Sequence, residues 1–173
     1  MVAGKVESEL PGFEKELQER FLILIRYFMA YANFILGNYD RAIDHLQPII
    51  NTPTTGMWSA TKKSARLMQV LVYYEKGDFE FLPYLLRSTY RYMLQQKQLQ
   101  SSEKILMKYL RRLLNIADRR ELPPFFHQLQ LELVNNPEQW GGEYGMGNFN
   151  LIGWLKSKTE KKSFRQVLTE ELN

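Results

Sequence analysis

The 173-residue sequence predicts an all-α fold, built as a right-handed array of antiparallel helical hairpins with a C-terminal helical cap. Three observations predict it. Apolar residues recur at helical spacing along most of the chain. No stretch of useful length alternates with a period of two. Two helical runs break at a glycine forty residues apart, in "LGNYDRAIDHL" around Gly37 and "EKGDFEFLPYL" around Gly77.

Pro11 and Gly12 open the first helix, and Glu14, Glu16 and Glu19 suit the positive end of its macrodipole. From about Phe13 to Leu36 its apolar stripe reads Leu17, Phe21, Leu24, Phe28, Tyr31 and Ile35. Gly37 ends the helix by taking the left-handed conformation, and Asn38 caps the next one, Tyr39 to about Ile50. The run "NTPTTG" closes that first pair.

A second pair runs from Met57 to Lys76 and, after Gly77 and a capping Asp78, from Phe79 to about Gln96. Pro83 removes a backbone donor early in that last helix, so its first turn is expected to be loose or shifted. The third pair reads Ser102 to Ala117 and Leu122 to Val134, with Pro123 and Pro124 in a first turn that tolerates proline. Residues 135–148 carry four glycines and read as a loop. They lack the Gly-Lys-Ser/Thr ending and the preceding strand of a phosphate loop. Two short helices finish the chain, Phe149–Lys158 and Phe164–Leu172, the second opened by a Ser163/Gln166 capping box. Leu151, Trp154 and Leu155 are expected to pack this cap onto the third hairpin. The domain reading is one unit over 1–173, with hairpins at about 13–51, 57–96 and 102–134 and the cap at 149–172.

Composition narrows the class. The apolar share of 45% and charged share of 24% are ordinary for a soluble globular chain. The absence of cysteine excludes disulfides, thiolate metal sites and cysteine nucleophiles. The apolar run "FLILI" is far below the roughly 20 residues a membrane span needs. The N-terminus "MVAGKVESELPGFEKE" shows no apolar signal region, and the expected compartment is cytoplasmic.

Aligning Gly37 on Gly77 pairs Arg26 with Arg66, Ala30 with Val70, Asn38 with Asp78, Tyr39 with Phe79 and Leu46 with Leu86. Ala30, Gly37, Tyr39, Ala42, Leu46 and Ile49 follow the order and spacing of the tetratricopeptide repeat, which this chain resembles. The match covers residues 22–54 best, and 62–96 keeps Gly77, Phe79 and Leu86. Arg26 and Arg66 replace the usual tryptophan, Val70 and Leu82 replace small residues, and the third pair lacks the turn glycine. The whole chain also resembles C-terminal segments of uncharacterised bacterial TPR-like proteins. Its first helix begins without the capping repeat such arrays carry, which suggests a piece of a longer solenoid.

The residues give no catalytic constellation. His45 and His127 have no His or carboxylate at i+3 or i+4 that would complete a metal-binding face, and His127 is expected to pack the third hairpin. Asp40 and Asp44 share a helix face beside Arg41 and read as solvated. Neither an enzyme, a metal nor a cofactor is expected.

The resemblance implies a protein- or peptide-binding scaffold, with a groove lined by the first helix of each pair. Its positions fall on Tyr27, Tyr31 and Phe34 in the first repeat and on Leu67, Leu71, Tyr74 and Glu75 in the second. Lys104, Met107 and Arg111 continue it in the third. The same apolar residues equally suit burial against the next helix. Charge adds a second feature, because residues 87–120 carry nine cations against Glu103 and Asp118. On a helix, Lys104, Lys108, Arg111 and Arg112 fall within a stripe about 100° wide, opposite Leu106, Leu110, Leu113 and Ala117. Such a stripe suits an acidic partner or is simply a solvated face. The rival reading is a nucleic-acid-binding array, with Tyr84, Tyr90, Tyr92 and Tyr109 stacking on bases between the cations. A regulatory module that responds to a small peptide or metabolite is the third.

Overall fold

The computed structural model describes residues 19–52, 59–95, 101–113, 115–116, 118–135 and 149–172. These form eight α-helices and a 3-10 turn at Arg119–Glu121, with no strand among the described residues. The helices are α1 (Glu19–Ile35), α2 (Tyr39–Asn51), α3 (Ser59–Lys76), α4 (Leu82–Gln95), α5 (Ser101–Leu113), α6 (Leu122–Val134), α7 (Leu151–Thr159) and α8 (Phe164–Glu171). The all-α class is therefore observed. Among the described residues, no helix is long and apolar enough to cross a membrane. The chain divides into two compact units, Met1–Leu82 and Pro83–Asn173, and the division falls inside the span 57–96.

In the first unit α1 packs on α2, α2 packs on α3, and α1 also touches α3. Ala30 on α1 and Ala42 on α2 are fully buried, and residues this small let helix axes approach closely. The α1–α2 turn closes as sequence predicts. Gly37 has φ +77°, the Asn38 N–H donates to the Asn33 carbonyl at 2.8 Å, and the Gly37 N–H donates to the Phe34 carbonyl at 3.1 Å. That pair of bonds satisfies carbonyls the helix end would leave orphaned. After α3 the same bonds recur, from Asp78 to Tyr73 at 3.2 Å and from Gly77 to Tyr74 at 3.1 Å, with Gly77 at φ +78°.

Three local expectations need correction. The core face of α1 is Ile23, Tyr27, Ala30 and Phe34, whereas Phe21, Leu24 and Phe28 of the expected stripe stand exposed. The helix is apolar on every side, so periodicity could not choose a face. Asn38 holds the cap position of α2 without a side-chain capping bond; its Nδ2 donates instead to Asn33 Oδ1 at 3.3 Å. Finally, α4 begins at Leu82 and not Phe79. Asp78 still receives the chain, since its Oδ1 accepts from the Phe81 N–H at 3.1 Å. The late start is the shifted first turn that Pro83 imposes.

Helix α4, whose Leu82 is also buried, contributes Leu85, Leu86, Thr89 and Met93 to the core of the second unit at helical spacing. The third pair is shorter at its first helix than the sequence suggests, since α5 closes at Leu113. Helix α6 starts with its prolines in the first turn. It packs on α5 and on α7, and α7 packs on α8. An aromatic chain crosses these layers edge to face. Tyr109 meets Phe125 at 5.3 Å, Phe125 meets Phe126 at 5.6 Å, and Phe126 meets Trp154 at 5.3 Å between ring centroids. Leu151, Trp154 and Leu155 are buried, and α7 packs on α6 with Trp154 against Phe126. The expected loop at 135–148 lies outside the described residues, apart from Asn135 at the end of α6.

Both terminal helices are capped. The Ser163/Gln166 capping box forms in full. The Asn150 Oδ1 accepts from the Gly153 N–H at 2.7 Å, and the Asn150 Nδ2 donates to Glu171 of α8 at 2.9 Å. A Cβ at Gly153 would lie 2.8 Å from that Nδ2, so the close cap requires glycine there.

Candidate functional site

The expected groove residues divide by burial. Tyr27, Phe34 and Leu67 are 3%, 4% and 6% exposed and belong to the core, and Met107 is buried as well. Tyr31, Leu71, Tyr74 and Glu75 are half-buried. Burial holds the Tyr27 hydroxyl well above the ordinary phenol range, with Tyr31 adding to the effect and a hydrogen bond with Ser64 opposing it. Phe34 and Tyr74 serve the turns: Phe34 packs on Tyr39 at 6.1 Å and Tyr74 on Phe79 at 5.9 Å. In this conformation these rings pack at the two glycine turns, and the apolar groove offers only its half-buried members.

The basic stripe, by contrast, is on the surface. Lys104, Lys108, Arg111 and Arg112 are all exposed on α5. Two of them are engaged by α6. Lys108 Nζ donates to both Glu132 oxygens at 2.9 and 2.8 Å, and the Tyr109 hydroxyl donates to the same carboxylate at 2.8 Å. One turn on, Arg112 Nη2 donates to Gln128 Oε1 at 2.9 Å. Moving up α5 from 108 to 112 therefore moves down α6 from 132 to 128, so the two helices run antiparallel. The Arg112 guanidinium also lies 5.1 Å from the Tyr109 ring centroid and 5.6 Å from that of Phe125.

The electrostatics of this knot derive from its geometry. Lys108 holds the Glu132 carboxyl below the usual glutamate range, and the Tyr109 hydrogen bond assists. Burial, then the hydrogen bond to Glu132, pushes the Tyr109 hydroxyl up to about 12. Lys108 is thus compensated by a full negative charge. Arg112 is bonded to the neutral Gln128 amide and makes no ion pair with Glu132, though its charge also helps to lower that carboxyl, while Lys104 and Arg111 form no ion pair among the described residues.

Beside the stripe, where α5 ends and α6 begins, lies a cleft of about 450 Å³. Arg112, Asn115 and Gln128 supply donors, Ile116, Pro124 and Phe125 supply apolar wall, and Glu121 stands as its acid. Sequence reasoning missed the cleft and the pairing. The available signal was the i, i+4 spacing of Gln128 and Glu132, which mirrors that of Lys108 and Arg112 on the preceding helix.

The remaining candidates scatter. Tyr84 is 57% exposed, Tyr90 and Tyr92 are half-buried, and Tyr109 is buried beneath the cations of its own helix. His45 is half-buried, while His127 is exposed on α6 instead of packing the hairpin. Among the described residues no three metal-ligating side chains converge. Comparison with protein-family models, curated proteins and solved structures finds no match to this chain.

Proposed function

We propose that the chain is a non-enzymatic interaction module that holds an extended, acidic segment of a protein partner against α5. The observation that carries this reading is the pair Lys104 and Arg111, exposed on one helix face with no carboxylate partner among the described residues. Uncompensated cations on a rigid helix attract an anionic chain over a Debye length and orient it on arrival. The reading of the chain as a TPR-like array belongs to the same proposal. It is supported by the two glycine turns, which share hydrogen bonds and a flanking aromatic pair at a forty-residue offset.

On α5 itself a peptide suits the surface better than a nucleic acid, because the tyrosine of that helix, Tyr109, is buried with Arg112 and Lys108 already over its ring. Base stacking needs an open aromatic face. The test is fluorescence anisotropy with a labelled Glu/Gly peptide, a Lys/Gly peptide of equal length and a single-stranded RNA, across a salt series. The Glu/Gly peptide should bind, weaken steeply with salt and lose binding in the Lys104→Glu/Arg111→Glu double variant. Stronger binding of the RNA, or Glu/Gly binding that survives the double reversal, would overturn the proposal.

A further inference from the structure

We infer that the cleft between the end of α5 and the start of α6 is a separate binding site for a small organic monoanion, a single carboxylate on a flat apolar body. Its volume of about 450 Å³ falls within the range of small-molecule sites. The anchor is Arg112. A guanidinium has five N–H donors in one plane. Here Gln128 takes one, the guanidinium also interacts with the Tyr109 hydroxyl, and the Tyr109 and Phe125 rings flank it. The side chain is therefore already immobilised, so a carboxylate gains its hydrogen bonds with little further loss of rotamer entropy. Lys108 cannot play this part, because Glu132 meets it with two hydrogen bonds.

The rest of the lining sets the class of ligand. Ile116, Pro124 and Phe125 give an apolar wall that a bare inorganic anion would leave unused. Asn115 and Gln128 add neutral amides, which orient a ligand without adding charge. Glu121 lines the same space and repels a second negative charge. One carboxylate with an aromatic or branched aliphatic body satisfies all of these groups; a phosphate or a dicarboxylate does not.

The experiment is an NMR titration of the full chain, following the Arg112 side-chain N–H and the Asn115 and Gln128 amides. The probes are phenylacetate, its neutral isostere phenylacetamide, and the dianion phenylmalonate. Phenylacetate should give saturable shifts at these three side chains, in the millimolar range. Phenylacetamide and phenylmalonate should each bind about tenfold more weakly. Glu121→Gln should restore phenylmalonate toward the phenylacetate affinity, and Arg112→Gln should abolish saturation while leaving the amide spectrum of α1–α3 unchanged. Equal binding of phenylacetate and phenylacetamide, or no response of phenylmalonate to Glu121→Gln, would overturn the inference. The Lys104→Glu/Arg111→Glu variant should bind phenylacetate as the natural chain does, so failure of the peptide reading and failure of the cleft are told apart.

Discussion

Phe34 meets Tyr39 across the Gly37 turn with ring centroids 6.1 Å apart, and forty residues on Tyr74 meets Phe79 across Gly77 at 5.9 Å. Both turns carry the same two backbone bonds and nearly the same glycine φ. In each, glycine supplies a conformation that other residues adopt at a cost. The unit that repeats is thus a helix end, its turn and the first aromatic residue beyond it.

Gly37→Ala should destabilise the first unit by about 1 kcal/mol, with Gly37→Asn costing less. A Cβ at Gly37 meets nothing within 4 Å, so the cost is conformational and not steric. Lys161 tests the same logic in the opposite direction. Among the described residues it is the non-glycine one at positive φ, 54°, after α7, where the Lys162 N–H donates to the Ser157 carbonyl at 3.0 Å. Lys161→Gly should stabilise the chain by up to about 1 kcal/mol. Urea midpoints measure both, and a destabilising Lys161→Gly would contradict the assignment.

Trp154→Ala should cost about 3–5 kcal/mol, because it removes a fully packed indole from the end of the aromatic chain. Leu172→Ala, at a residue 87% exposed, should change stability by less than about 0.5 kcal/mol. Ending the chain at residue 148 removes α7 and α8 together and should lower the melting temperature further. A truncated chain that melts like the full one would show that α7 does not hold α6 in place.

The Lys108–Glu132–Tyr109 knot predicts a defined pH response. Glu132 has a folded-state value depressed below the ordinary 4.5, so its stabilisation is present above that pH and lost as the pH falls below it. Tyr109 is raised from 10.0 to about 12, so its contribution is complete below pH 10 and lost between pH 10 and 12. Glu132→Gln should flatten the acid limb of the stability curve and bring the Tyr109 hydroxyl back toward 10. Stability against urea at each pH and an NMR titration of the Tyr109 ring carbon read the two limbs separately. An unchanged acid limb in the variant would exclude Glu132 as its source.

What the sequence made legible was local. A glycine at φ above zero, prolines in a first turn and the Ser163/Gln166 box each depend on a few neighbouring residues, and all formed as read. The burial of α1 was not legible, since Phe21 and Tyr27 are both large aromatic residues and only the placement of α2 and α3 decides between them. The site obeyed the same division. Helical spacing alone put four cations on one face of α5, and the four are exposed. That Lys108 meets Glu132 while Arg112 meets the neutral Gln128 depends on the antiparallel register of α5 and α6, which no single helix encodes. The cleft is a property of that register too.

The most direct test of the central claim is a residue-resolved one: amide chemical-shift mapping of the full chain titrated with the Glu/Gly peptide at low salt. Saturable shifts should centre on α5 from Lys104 to Arg112, reach the facing residues of α6, and vanish when salt is raised. Shifts confined to α1–α3, or none on α5 at saturation, would contradict the account and leave Lys104 and Arg111 as a solvated face.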